Sequence, residues 1–226
     1  MASPSARPPS TGYRTRIKIC GLTREADVAA AVDAGADAIG FVLYAHSARH
    51  VALTRAAQLA RALPPFVTPV LLFVNASRQE VDAACARLPQ ALLQFHGDET
   101  RTDCEAAQRP YLRAVRMVPG VDLLDCARSF PSAAALLLDA PVEGYGGGGK
   151  VFDWSLLPSD VCAHRLVLSG GLTPANVIDG VLRVRPYAVD VSSGVESSKG
   201  VKDAALMRRF CEAVREADAR LADLAT

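Results

Sequence analysis

Eight short apolar runs, each followed by a turn and a helical pattern, predict one α/β domain built as a (β/α)8 barrel. Three observations carry this expectation. The strand–turn–helix unit recurs from Arg16 almost to the C-terminus. Several runs (70–74, 134–138 and 166–168) are continuously apolar, as strands buried on both faces are. The chain of 226 residues is long enough for eight such units in one ring. A doubly wound sheet is the alternative, because β and α elements alternate in both architectures.

Taken in order, the first strand spans 16–20 and leads into a helix at 24–34. Ala26, Ala29, Ala30 and Ala34 stand there at helical spacing, and Gly35 stops the helix. The second strand (38–43) leads through a loop to a helix at 54–63 that ends before Pro64 and Pro65. The third (70–74) leads into 77–88, with Ser77 as N-cap. The fourth (92–95) leads into 99–108, the fifth (112–117) into 121–128. After the sixth (134–139) come a glycine-rich loop and a brief helical piece near 154–157. The seventh (165–168) leads into 174–182, where Thr173 caps and Pro174 takes the first helical position. The eighth (188–191) leads into the long closing helix at 203–222.

Half of the residues are apolar and 22% are charged, so the chain can bury a sizeable core. A net charge of +1, with no run of Lys or Arg, gives no sign of a nucleic-acid partner. No apolar run approaches the ~20 residues of a membrane span. The six cysteines lie far apart with no C-x-x-C pair, which suits reduced thiols in a cytoplasmic enzyme. Residues 1–13 are rich in Pro, Ser and Thr, contain no acid and lack the apolar core of a secretory signal. They are expected to be a disordered extension, a fragment of a transit peptide being the alternative; residues 14–226 are expected to form the barrel.

In such barrels the active site lies at the C-terminal ends of the strands, so strand ends become candidates. Lys18 and Cys20 share one face of the first strand. A lysine there is expected to lower the thiol pKa, the alternative being an inert buried cysteine. Asp139 closes five apolar residues, where an acid is costly to bury unless paired or protonated. Either state suits a general acid, against the alternative of an aspartate that merely starts a loop. His96 closes the fourth strand as a ligand contact or a structural histidine. Arg49, in the loop after the second strand, can clamp a carboxylate with two hydrogen bonds or stand solvated. Gly170 and Gly171 after the seventh strand, and Ser193 and Gly194 after the eighth, look like a pair of phosphate cradles.

Two patterns are set aside. The run 144–150 matches G-x-G-x-x-G and G-x-x-x-x-G-K, but Pro141 separates it from the strand and Val151 does not open a helix. It is expected to be a mobile wall over the substrate. His46 and His50 lack the Glu of a zinc-binding helix, so no metal site is proposed.

The motifs resemble, in order, the phosphoribosylanthranilate isomerase family of tryptophan biosynthesis. They are KICGLT at 18–23, DAIGFVLY at 37–44, LFVN at 72–75, QFHGDE at 94–99 and LLLD at 136–139. YGGGGKVFDW at 145–154, LSGGLTPANV at 168–177 and VDVSSGVESSKGVKD at 189–203 complete the set. The resemblance implies a cofactor-free Amadori rearrangement of a small phosphosugar, with Cys20 as general base and Asp139 as general acid. It implies that Arg49 holds the anthranilate carboxylate, and that the protein is a monomer or a homodimer. The family usually has Pro where this chain has Ala48, and often Ser or Thr where it has Gly148. An indole-glycerol-phosphate synthase relative would need a catalytic lysine and further acids at strand ends, of which the sequence shows only Lys18, and a silent phosphate-binding barrel would not need Cys20 and Asp139.

Overall fold

The computed structural model describes residues 14–141, Trp154, Leu157 and 165–224. The extension at 1–13 and the glycine-rich wall at 144–150 lie outside the described residues, as does most of the helical piece near 154–157. Eight parallel strands close into a barrel: β1 Arg16–Cys20, β2 Ala38–Val42, β3 Thr68–Phe73, β4 Leu92–Phe95, β5 Tyr111–Arg116, β6 Ala135–Asp139, β7 Leu166–Leu168 and β8 Ala188–Val191. β1 pairs with both β2 and β8, which closes the ring.

Around it pack α1 Glu25–Asp33, α2 Leu53–Ala60, α3 Arg78–Arg87, α4 Arg101–Ala106, α5 Leu123–Ser129, α6 Val177–Val184 and α7 Ala204–Asp223. A small hairpin, β9 Glu196–Ser198 and β10 Val201–Lys202, sits between β8 and α7. Among the described residues no helix is long and apolar enough to cross a membrane.

Strand alternation sorts the core into layers. Ile17, Ile19, Leu136 and Leu138 point outward into the main core under the helices. Leu112, Ala135, Leu137, Val167 and Ala188 fill the barrel's interior. A separate cluster of Val42, Leu72 and Val74 surrounds Cys20. Each fully buried Leu, Ile or Phe contributes about 1.5–3 kcal/mol.

Three helix starts fall two or more residues later than the sequence reading, and that of α5 moves from Val121 to Leu123 because Asp122 caps it. α4 begins at Arg101, because Thr100 and Asp103 form a reciprocal capping box. That releases Glu99 from the helix to accept hydrogen bonds from the Asn75 and Gly97 amides and to pair with Arg113 at 2.8 Å. α6 begins at Val177, and Thr173 does not cap it. The Asn176 side chain accepts from Thr173 N (2.7 Å) and donates to Gly171 O (3.0 Å), which holds residues 173–176 as a turn. Ser77 caps α3 as expected, in a capping box with Glu80.

Candidate active site

The inner faces of β1 and β8 bring the first group together. Lys18 and Asp190 are register partners, and Lys18 Nζ lies 2.7 Å from Asp190 Oδ1. Ser169 Oγ donates to the other Asp190 oxygen at 3.4 Å. Cys20, 4% exposed, ends β1 above this pair. A Cβ on Gly40 of β2 would sit 2.6 Å from the Cys20 sulfur, so glycine there makes room for the thiol.

Burial pushes the Cys20 thiol up, and the Lys18 ammonium pulls it back only partly, leaving it above its ordinary value. This corrects the expectation of a lowered thiol. Lys18 acts in the expected direction, but the desolvation of a fully enclosed sulfur is larger. Asp190, which holds the lysine, adds its own opposing charge.

The loop after β2 carries Arg49 across the end of β1. Gly21 has φ +79°, and a Cβ on it would lie 2.5 Å from Arg49 Cδ, so the crossing needs glycine. Arg49 is buried rather than solvated. Its Nε and Nη2 donate to Glu196 at 2.7 and 2.8 Å. Lys202 Nζ donates to the same carboxylate at 2.8 Å and to Ser192 O at 2.9 Å. Ser192 Oγ in turn donates to Cys20 O at 2.9 Å, so the β9–β10 hairpin is tied to the thiol's own backbone. The hydrogen bonds that Arg49 donates to Glu196 raise the Arg49 pKa, and burial lowers that of Lys202. Glu196 escaped the sequence reading because it stands 147 positions from Arg49.

Asp139 ends β6 on the inner face and is paired. His96 Nε2 lies 3.0 Å from Asp139 Oδ2, with both side chains 11% exposed, and Asp139 Oδ1 accepts from the Ala140 amide at 3.0 Å. Gln94 Nε2 lies 2.9 Å from His96 Nδ1. A cavity of about 250 Å³ opens beside the pair, lined by His96, Asp98, Arg113, Arg116, Phe130 and Asp139 among others.

The two glycine turns pack on each other and on the acid. Gly170 and Gly171 have φ of +78° and +65°, a region side chains disfavour. A Cβ on Gly170 would fall 2.4 Å from Ala140 N, next to Asp139, and one on Gly194 would fall 1.9 Å from Leu172 O. Ser193 and Gly194 lie in a single turn of 3-10 helix, Ser193–Val195. The strand-end residues singled out in the sequence are therefore contiguous in two groups: Cys20 with Arg49, and Asp139 with His96 and the glycine turns. Among the described residues no group of three or more His, Cys, Asp or Glu side chains could hold a metal ion.

A family model described as N-(5'phosphoribosyl)anthranilate (PRA) isomerase matches residues 17–213. An N-(5'-phosphoribosyl)anthranilate isomerase of Leptothrix cholodnii is 72% identical over 210 residues, covering 93% of this chain and 95% of its own. The crystal structure of phosphoribosyl anthranilate isomerase from Thermotoga maritima superimposes with a TM-score of 0.82 at 38% identity, over 89% of this chain and 99% of that one. Another phosphoribosyl anthranilate isomerase, in complex with reduced 1-(o-carboxyphenylamino)-1-deoxyribulose 5-phosphate, gives 0.79 at 35% identity with the same coverage.

Proposed function

This chain belongs to the N-(5'-phosphoribosyl)anthranilate isomerase family, and from that membership we propose that Cys20 and Asp139 carry out its Amadori rearrangement. The substrate is N-(5-phosphoribosyl)anthranilate and the product 1-(2-carboxyphenylamino)-1-deoxy-D-ribulose 5-phosphate, an isomerisation in tryptophan biosynthesis. The observation that carries the assignment is the placement of one thiol and one carboxyl on the inner face of a single barrel mouth, at the ends of β1 and β6.

The two groups divide the reaction. Asp139 protonates the ribose ring oxygen, the C1'–O bond breaks, and a protonated imine forms. The Cys20 thiolate then removes the proton from C2', and the electron pair moves toward the iminium nitrogen. The resulting enolamine becomes the ketone by transfer of a proton from the 2'-hydroxyl to C1'. The substrate's own nitrogen is the electron sink. At the end Asp139 has lost a proton and Cys20 has gained one, so both are reset before the next turnover.

Arg49 holds the anthranilate carboxylate. Since Glu196 already occupies Nε and Nη2, the substrate is met by the remaining edge of the guanidinium rather than by the two-bond clamp expected from sequence. The backbone amides of Gly170, Gly171, Ser193 and Gly194 receive the phosphate, supported by turns that only glycine fits. The five cysteines among the described residues are free thiols, which agrees with a cytoplasmic enzyme.

The test is the loss of phosphoribosylanthranilate fluorescence with purified protein. Asp139→Asn is expected to lower kcat by roughly 10²-fold or more, the scale of a general acid. A near-normal rate excludes Asp139 as the acid.

A further inference from the structure

Gln94 and His96 stand two residues apart on the line of β4, on the face that points into the barrel. Gln94 Nε2, His96 and Asp139 form a chain of hydrogen bonds of 2.9 and 3.0 Å. An amide nitrogen has hydrogens to donate and no lone pair to accept with. With Gln94 Nε2 turned to the ring, His96 Nδ1 takes the acceptor role, and the matching tautomer carries its proton on Nε2, facing Asp139.

Gln94 is fully buried, and its Oε1 has no hydrogen-bond partner among the described residues. A buried acceptor without a donor is a cost to folding. An apolar side chain of similar volume would fill the same space without that cost. The placement points to a role that Nε2 serves.

We propose that Gln94 is a positioning residue for the acid: by donating to His96 Nδ1 it locks His96 as the Nε2–H tautomer and keeps the pair's transferable proton on Asp139. The proposal rests on the assignment of Asp139 as the acid. With Nδ1 facing a donor, that nitrogen offers no place for a further proton. A second proton entering the pair then goes to the carboxyl, where the ring oxygen of the substrate can receive it. If Nδ1 faced an acceptor instead, the pair would settle as imidazolium and carboxylate, and Asp139 would have nothing to give.

The locked Nε2–H also steadies the carboxylate left once the proton has gone. The charged groups that line the cavity beside the pair are Asp98, Arg113 and Arg116. The Arg113 guanidinium is engaged by Glu99 and by the carbonyls of Phe95 and Gly97.

The experiment combines nitrogen-15 NMR of histidine-labelled protein with steady-state kinetics of Gln94→Glu and Gln94→Met. In the unaltered enzyme His96 should give an unprotonated Nδ1 signal and a protonated Nε2 signal. In Gln94→Glu both nitrogens should be protonated at pH 7, with kcat down roughly tenfold to a hundredfold and KM little changed, a partial form of the loss seen when a catalytic histidine takes the wrong tautomer. Gln94→Met should lower kcat without lowering the melting temperature, which a merely structural glutamine would not do.

A protonated Nδ1 in the unaltered enzyme overturns the proposal, as does a Gln94→Glu enzyme with normal kcat or one altered in KM alone. Should Gln94→Glu not fold, the spectrum of the unaltered enzyme and the Gln94→Met kinetics decide. If Asp139→Asn is inactive while both Gln94 variants turn over normally, only the positioning role fails; if Asp139→Asn is active, the acid assignment fails first.

Discussion

Lys18 Nζ lies 2.7 Å from Asp190 Oδ1 inside the barrel, one inward-facing position below Cys20, with side-chain exposures of 5% and 7%. Lys18 supplies the positive charge that opposes the burial of the thiol, and Asp190 offsets part of it. Asp190 and Cys20 together raise the Lys18 pKa despite the desolvation that would lower it, so the ammonium persists.

The first prediction concerns pH. The base acts as thiolate, so activity rises with pH as Cys20 deprotonates. Because its pKa is raised, kcat/KM should keep climbing through the ordinary thiol value of about 8.5 rather than level off below it. Replacing both partners, Lys18→Met with Asp190→Leu, should move this limb to still higher pH and lower kcat/KM at pH 7. Replacing the whole pair avoids the ~3–5 kcal/mol loss that follows when one buried charge is left alone. A limb that moves to lower pH in the double variant refutes the role of Lys18.

Glu196 is the shared partner of Arg49 and Lys202. Glu196→Ala leaves two buried cations without their carboxylate and should cost about 3–5 kcal/mol in urea denaturation. Burial alone would raise the Glu196 pKa, but the hydrogen bonds from Arg49 and Lys202 hold it below the usual glutamate range. Its stabilisation is therefore full above that range and lost as pH falls through the depressed folded value. The stability gap between the unaltered protein and Glu196→Ala should shrink in acid. A gap that is constant with pH means the carboxylate is not held this way.

Arg49→Ala should raise KM with little change in kcat, as the loss of a ground-state contact does. One charge-assisted hydrogen bond of about 1.5–3 kcal/mol corresponds to roughly tenfold or more. Arg49→Lys should not restore it, because an ammonium lacks the planar fork that pairs with Glu196 through Nε and Nη2 and still presents a separate N–H edge to the substrate. An unchanged KM removes Arg49 from the carboxylate site.

Gly170→Ala places a side chain at φ +78° and against the Ala140 amide. The backbone strain should cost about 1–3 kcal/mol. The turn sits beside both the proposed phosphate site and Asp139, so KM should rise, inhibition by inorganic phosphate should weaken, and kcat should fall as the acid shifts. Thermal melts with normal kinetics would detach this turn from the site.

The barrel was legible because each strand–helix unit announces itself locally. The bounds of β1, β4 and β8 coincide with those read from apolar runs and flanking turns. What escaped was tertiary. The cap at Thr100 displaced the start read at Glu99, and Asn176 turned back on Gly171 where Thr173 had looked like the cap. Cys20, Arg49, His96 and Asp139 stood out because they end or follow strands. Glu196 and Gln94 did not, since their partners are set by barrel closure and by the hairpin over the mouth. The direction of the Cys20 shift was missed for a related reason: a sequence shows the lysine nearby, but neither how completely the sulfur is enclosed nor that Asp190 already holds the lysine.

The most direct test of the acid–base account is kcat for Cys20→Ala in the fluorescence assay, with folding checked by circular dichroism. The account predicts a folded protein whose kcat falls by roughly 10²-fold or more, because no second base stands on the inner end of β1. A folded Cys20→Ala enzyme that turns over phosphoribosylanthranilate at the unaltered rate would contradict it.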